Sequence, residues 1–170
     1  EANCRYYAST YVGASAHYYV GFNGEIWQSV EDKNTAWHCG AKSYKHPECR
    51  NSNSIGIELC VRNKGSKADT SKDWYFEDAT VTSAVQLTKE LMAKYGVPAS
   101  RVIRHYDVTG KICPNPYVYN HTKHTWNDFK AQISGGTPAT NAPTPTASTS
   151  CGNGCMWGKY CQCKIYAEWD

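Results

Sequence analysis

Long apolar runs are missing from this chain. No stretch of its 170 residues approaches the roughly 18 consecutive apolar side chains of a membrane-spanning helix, so none is predicted. Basic runs are missing too. The 18 lysines and arginines are scattered among 15 acidic residues and leave a net charge of +3. Nucleic-acid binding rests on clustered cations facing phosphates, so this balance argues against a nucleic-acid partner. The start, Glu1-Ala2-Asn3-Cys4, has no basic stretch followed by an apolar run, and no signal peptide is read in it. What is plentiful is aromatic and sulfur-bearing. Thirteen tyrosines and six tryptophans suit a surface that lines a sugar or peptide groove, although most such rings serve as core or scattered surface. Nine cysteines is a high and odd count. It fits an oxidising destination and free thiols equally well. Cys39 and Cys49, which bracket a short loop, are the preferred local disulfide.

The order of elements implies an α/β domain. Residues 2–12 read as the end of a helix closed by Gly13. Residues 16–20 and 25–29 alternate around Phe22-Asn23-Gly24, a strong hairpin signal. Ser54 to Val61 is rich in β-branched and apolar residues and predicts a buried strand. Val81, Ala84, Val85, Thr88, Met92 and Tyr95 recur at helical spacing, and Gly96 and Pro98 end that helix. Residues 101–106 form a short strand that delivers His105 at its end, and Trp126, Phe129 and Ile133 mark the face of a last helix. Residues 134–150 contain Pro, Thr, Ser, Gly, Ala and Asn only and predict an extended linker. Residues 151–170 carry four cysteines and are too few to build an apolar core without staples or a metal. The expected organisation is a domain over 1–133, a linker over 134–150 and a Cys-rich tail over 151–170.

The most informative segment runs from Arg104 to Pro114. It places His105 and Cys113 eight residues apart, with Lys111 two residues before the cysteine. Imidazole nitrogen and thiolate sulfur both suit Zn²⁺, and a catalytic zinc takes three protein ligands and leaves one position for water. An ammonium nearby would stabilise an oxyanion. Read alone, the pair is equally a strand histidine followed by a disulfide cysteine.

The segment resembles the C-terminal zinc motif of the type 2 N-acetylmuramoyl-L-alanine amidases, the family of the phage amidase lysozymes, whose relatives include the animal peptidoglycan recognition proteins. Ser15-Ala16-His17-Tyr18, Gly24-Glu25-Ile26 and Ala36-Trp37-His38-Cys39-Gly40 are similar to the family's S-A-H-Y, G-x-I and A-W-H-x-G stretches. Asn53 to Leu59 resembles its S-I-G-I-E-L strand. The resemblance covers roughly residues 1–133 and implies a central mixed sheet flanked by helices.

It also implies an activity: zinc-assisted cleavage of the amide between N-acetylmuramic acid and L-alanine in bacterial peptidoglycan. His105 and Cys113 match the family's second and third zinc ligands. Lys111 matches the lysine proposed to stabilise the oxyanion. Glu58 matches the glutamate proposed to move the proton. A carboxylate on so apolar a strand is costly unless it faces a cleft or has a partner, which supports a role for it. Trp37, His38 and His17 match groove-lining or structural positions, not zinc ligands. The resemblance places the first zinc histidine on a strand ahead of the first helix, and no histidine precedes His17 here. Three expectations stay open: a piece of a longer amidase, a strand supplied by another polypeptide, or a relative that binds peptidoglycan without cutting it. The expected place of action is the bacterial wall, reached by secretion or by phage lysis.

Overall fold

The computed structural model describes residues 13–135 and the backbone of residues 163–168. The helix expected over 2–12, nearly all of the linker and most of the tail lie outside the described residues. The architecture is α/β. Its main sheet has five strands in the order β2-β1-β3-β7-β6. They are β1 (Tyr18–Val20), β2 (Ile26–Gln28), β3 (Ser54–Leu59), β6 (Val102–Arg104) and β7 (Cys163–Glu168). β1 runs parallel to β3 and antiparallel to β2. β7 is antiparallel to both neighbours, so the sheet is mixed, as expected. A separate two-stranded sheet pairs β4 (Arg62–Asn63) with β5 (Trp74–Tyr75).

The hairpin forms where the Asn-Gly signal lies, but its connection is longer than two residues. Val20 pairs with Ile26, and the Gly21 amide donates to the Glu25 carbonyl at 2.8 Å. The long helix α1 (Asp78–Tyr95) follows the predicted periodicity. It ends at Gly96, whose φ of +66° is left-handed and whose N–H donates to the Met92 carbonyl. A glycine tolerates that conformation without a Cβ clash. Helix α4 (Trp126–Ile133) opens on Thr125, whose hydroxyl accepts from the Asp128 amide at 3.1 Å.

The core follows from strand alternation. Ile55, Ile57 and Leu59 share one face of β3. They pack with Val20, Val102, the Val81, Ala84, Val85, Leu87 and Leu91 stripe of α1, and Phe129 and Ile133 of α4. Ser54, Gly56 and Glu58 take the other face, and all six residues of β3 are buried. Something polar must therefore cover that second face.

β7 is the element that the sequence does not announce. It lies between β3 and β6, with Ile57 opposite Ile165 and Arg104 opposite Ile165 on its other side. Residues of the Cys-rich tail are thus part of the main sheet.

Candidate active site

The second face of β3 is covered by two histidines. Gly56 makes this possible, since a Cβ there would stand 2.6 Å from His38 Cγ. The His38 ring therefore lies directly on the strand backbone. Its Nε2 is 3.1 Å from the Ser54 carbonyl oxygen. Asn51 fixes the backbone here, its Oδ1 accepting from the amides of His38 at 3.1 Å and Cys39 at 2.7 Å. His17 meets the His38 ring edge-on at 5.6 Å. Its Nδ1 accepts from the Gly56 amide at 3.0 Å, so its Nε2 carries the proton and donates to the Asn34 carbonyl at 2.9 Å. Burial holds the His17 imidazole below its usual pKa, and the charge of His38 adds to this against the Asn34 carbonyl and Asp32. His17 is 1% exposed and does not line a groove. It is a neutral spacer between the hairpin and β3.

Trp37 is placed oppositely. Its amide donates to Ser15 Oγ and its carbonyl accepts from the Ser15 amide, each at 2.9 Å. These bonds hold the backbone and leave the indole 48% exposed. Among the described residues it is the exposed large hydrophobic side chain.

His105 opens the short helix α2 (His105–Thr109), directly after β6. Arg104 sets that turn. Its amide donates to Asp107 Oδ2 at 2.9 Å, its guanidinium grips both oxygens of Asp107 at 3.0 and 2.7 Å, and Nη1 reaches the Tyr117 carbonyl at 2.9 Å. Burial alone would raise the Asp107 carboxyl. The Arg104 guanidinium and amide outweigh it and hold Asp107 below the usual carboxylate range. After α2 the chain turns at Gly110, with φ +84°, and returns through Lys111 to Cys113. The Tyr106 amide donates to the Cys113 carbonyl at 2.9 Å, which ties the cysteine to the start of α2.

These pieces enclose a cleft of about 450 Å³. His105, Thr109 and Lys111 line one part of it, and Trp37, His38, Gly40, Ala41 and Asn51 another. Four of the sequence-derived residues, Trp37, His38, His105 and Lys111, thus meet in one place. Glu58, 4% exposed, and the fully buried Cys113 are not on the lining, nor is His17. Asn51 and Thr109 are lining residues that the sequence did not single out. Asn51 precedes the strand without a local signature, and its role rests on two amides a dozen residues earlier.

The two expected zinc ligands, His105 and Cys113, lie on segments that hydrogen-bond to each other. Among the described residues no three His, Cys, Asp or Glu side chains converge as a metal site. The described donors alone therefore do not fit a three-ligand zinc.

Residues 1–116 match the family profile described as N-acetylmuramoyl-L-alanine amidase. That is more than half of the chain. The chain belongs to the type 2 N-acetylmuramoyl-L-alanine amidase family. Curated relatives agree. The amidase CwlL of Bacillus licheniformis is 31% identical over 142 residues, covering 81% of this chain and 36% of that protein. The amidase AmiD of Escherichia coli is 31% identical over 111 residues, covering 60% and 40%. The 1,6-anhydro-N-acetylmuramyl-L-alanine amidase AmpD of Haemophilus influenzae is 32% identical over 116 residues, covering 67% and 58%. A solved complex of AmiD with anhydro-N-acetylmuramic acid-L-Ala-D-γ-Glu-L-Lys superposes with a TM-score of 0.52 at 26% identity, covering 80% of this chain and 54% of that one. The chain spans about a third of the length of the first Bacillus licheniformis relatives, 36% and 28%. Type 2 amidases of this family thus share the fold in which the cleft is built.

Proposed function

We propose that this chain carries the cleft of a peptidoglycan hydrolase that cuts the amide between N-acetylmuramic acid and L-alanine of the stem peptide. The observation that carries this reading is the convergence of His105, Lys111, Trp37 and His38 in one cleft of about 450 Å³, within a chain of the amidase family. The exposed Trp37 indole would stack on a sugar ring or a peptide plane. The Lys111 ammonium would meet the oxyanion that develops when the carbonyl is attacked. Glu58, on the polar face of β3, would accept the proton of the attacking water and return it to the leaving amine.

His105 and Cys113 are the two donors that this segment would contribute to a zinc. A third would come from outside the described residues. The partner is bacterial peptidoglycan, reached by secretion or by phage lysis. Among the described residues no helix is long and apolar enough to cross a membrane.

The second reading is a recognition module that binds peptidoglycan without hydrolysis. It is motivated by the absence, among the described residues, of three His, Cys, Asp or Glu side chains grouped as a metal site. One experiment separates the readings. Purified peptidoglycan is incubated with the protein, and new L-alanine amino groups and reducing sugars are both measured. Release of amino groups at constant reducing sugar is the expected result. Wall binding with no amino-group release would establish the recognition module instead. Lys111→Ala should lower the rate by about 10²–10³ with binding retained.

A further inference from the structure

The loop over residues 40–48 forms part of the cleft wall through Gly40 and Ala41, yet it contributes none of the chemistry above. Both of its ends are cysteines. Cys39 and Cys49 are fully buried and share a small cluster with Val108 of α2, flanked by Tyr44 and Ile103. Both are thiols, brought together in one buried cluster. The two ends of the loop therefore meet in the same buried cluster.

It is also fastened to the helix that carries His105. The amides of Lys45 and His46 donate to the Val108 carbonyl at 2.8 and 3.2 Å. The Lys45 ammonium stands 4.9 Å over the Tyr106 ring. At the far end, His46 Nδ1 accepts from the Cys49 amide at 3.0 Å, and the Arg50 guanidinium holds the carbonyls of His46 and Cys49 at 3.1 and 2.7 Å. The loop is thus a strap across α2, with a cysteine at each end.

We propose that Cys39 and Cys49 form a reversible disulfide that locks this strap over the His105 helix. The oxidant is a small-molecule disulfide, RSSR. While the loop is open, the Cys39 thiolate attacks one sulfur of RSSR, forms a mixed disulfide and releases one RSH. The Cys49 thiolate then attacks the Cys39 sulfur and releases the second RSH. Two protein thiols are oxidised, one RSSR is reduced to two RSH, and the departing thiols carry both protons. The Cys49 side chain's hydrogen bond holds Cys39 below the usual thiol range, with that of His38 adding, against burial, which pushes it up; this favours the attacking thiolate.

The test uses the full chain, equilibrated with oxidised and reduced glutathione, alkylated and digested with trypsin. Cleavage after Lys33, Lys42, Lys45 and Arg50 leaves peptides 34–42 and 46–50 with one cysteine each. The expected product is these two peptides joined by a disulfide under oxidising conditions and separated after reduction. If both cysteines are alkylated under oxidising conditions, or are joined to other cysteine peptides, the proposal fails. A second measurement reads the strap itself. Brief trypsin treatment of the folded protein should cut after Lys42 and Lys45 more slowly in the oxidised form. Equal rates in both forms would overturn the locking role. Cys49→Ser should abolish the joined peptide, and should this variant misfold, the unmodified chain still decides the question.

Discussion

The two faces of β3 are built from alternate residues of one six-residue strand, and they follow different rules. On one face Ile55, Ile57 and Leu59 meet α1 and α4, and packing alone stabilises them. On the other are Ser54, Gly56 and Glu58, with His38 against Ser54 and Gly56 and His17 bonded to the Gly56 amide. A polar atom buried there without a partner costs roughly 1–3 kcal/mol. His17 shows the rule most plainly, with a strand amide on one nitrogen and a loop carbonyl on the other. The apolar face thus tolerates many side chains of suitable volume, whereas the polar face admits few.

Adjacent residues can break this comparison in opposite ways. Glu58→Gln keeps size and shape on the polar face but removes the proposed proton acceptor. It should lower amide cleavage by about 10²–10⁴ while the urea midpoint changes little. Near-normal turnover would remove Glu58 from the mechanism. Ile57→Ala, one residue earlier, should cost about 2–5 kcal/mol of stability by urea denaturation. Its activity per folded molecule should remain. If this variant lost activity at full folded content, the two faces would not be separable.

Gly56 lies where the two rules meet. In Gly56→Ala the new Cβ would stand 2.6 Å from His38 Cγ, so the ring must move. The expected cost is about 1–3 kcal/mol, as for overpacking of a filled site. Activity should fall with it, because His38 lines the cleft. Loss of stability without any change in turnover would show that the His38 position is structural only.

How much of this the sequence revealed depends on where the determining forces lie. α1 is legible because its apolar stripe and its Gly96 stop are local. β3 is legible because six consecutive buried residues leave their mark on composition. The cleft is legible at His105, Lys111, Trp37 and His38 through ordered motifs, since short spacings fix which side chains share a loop. The two-residue strands β4 and β5 and the short helix α3 (Asn115–Tyr119) have no periodicity to read. β7 is illegible for another reason. Its pairing partners lie far away in sequence, and a Cys-rich tail gives no sign of them. By sequence His17 fits either a groove-lining or a structural position, and only the geometry separates these. The same Ser-Ala-His-Tyr stretch would serve either role, and the hydrogen bonds to Gly56 and Asn34 decide for the structural one.

The smallest expected effect is in the pH dependence of the polar face. In the unfolded chain the His17 imidazole titrates near 6.5, and burial lowers this value in the folded protein. The unfolded state therefore binds the extra proton first as pH falls. Stability that is fully present above 6.5 should decline below that value and level off once the folded pKa has been passed. Protonation on Nδ1 would also eject the Gly56 amide from its acceptor, so the strand resists it. The check is a series of urea midpoints between about pH 7.5 and pH 5 for the parent chain and for His17→Gln, which cannot take up that proton. The parent should lose stability across this window, and the glutamine variant should show a shallower slope. Parallel slopes would mean that the pH response comes from other groups, and that the polar face of β3 holds its histidine no more tightly than water does.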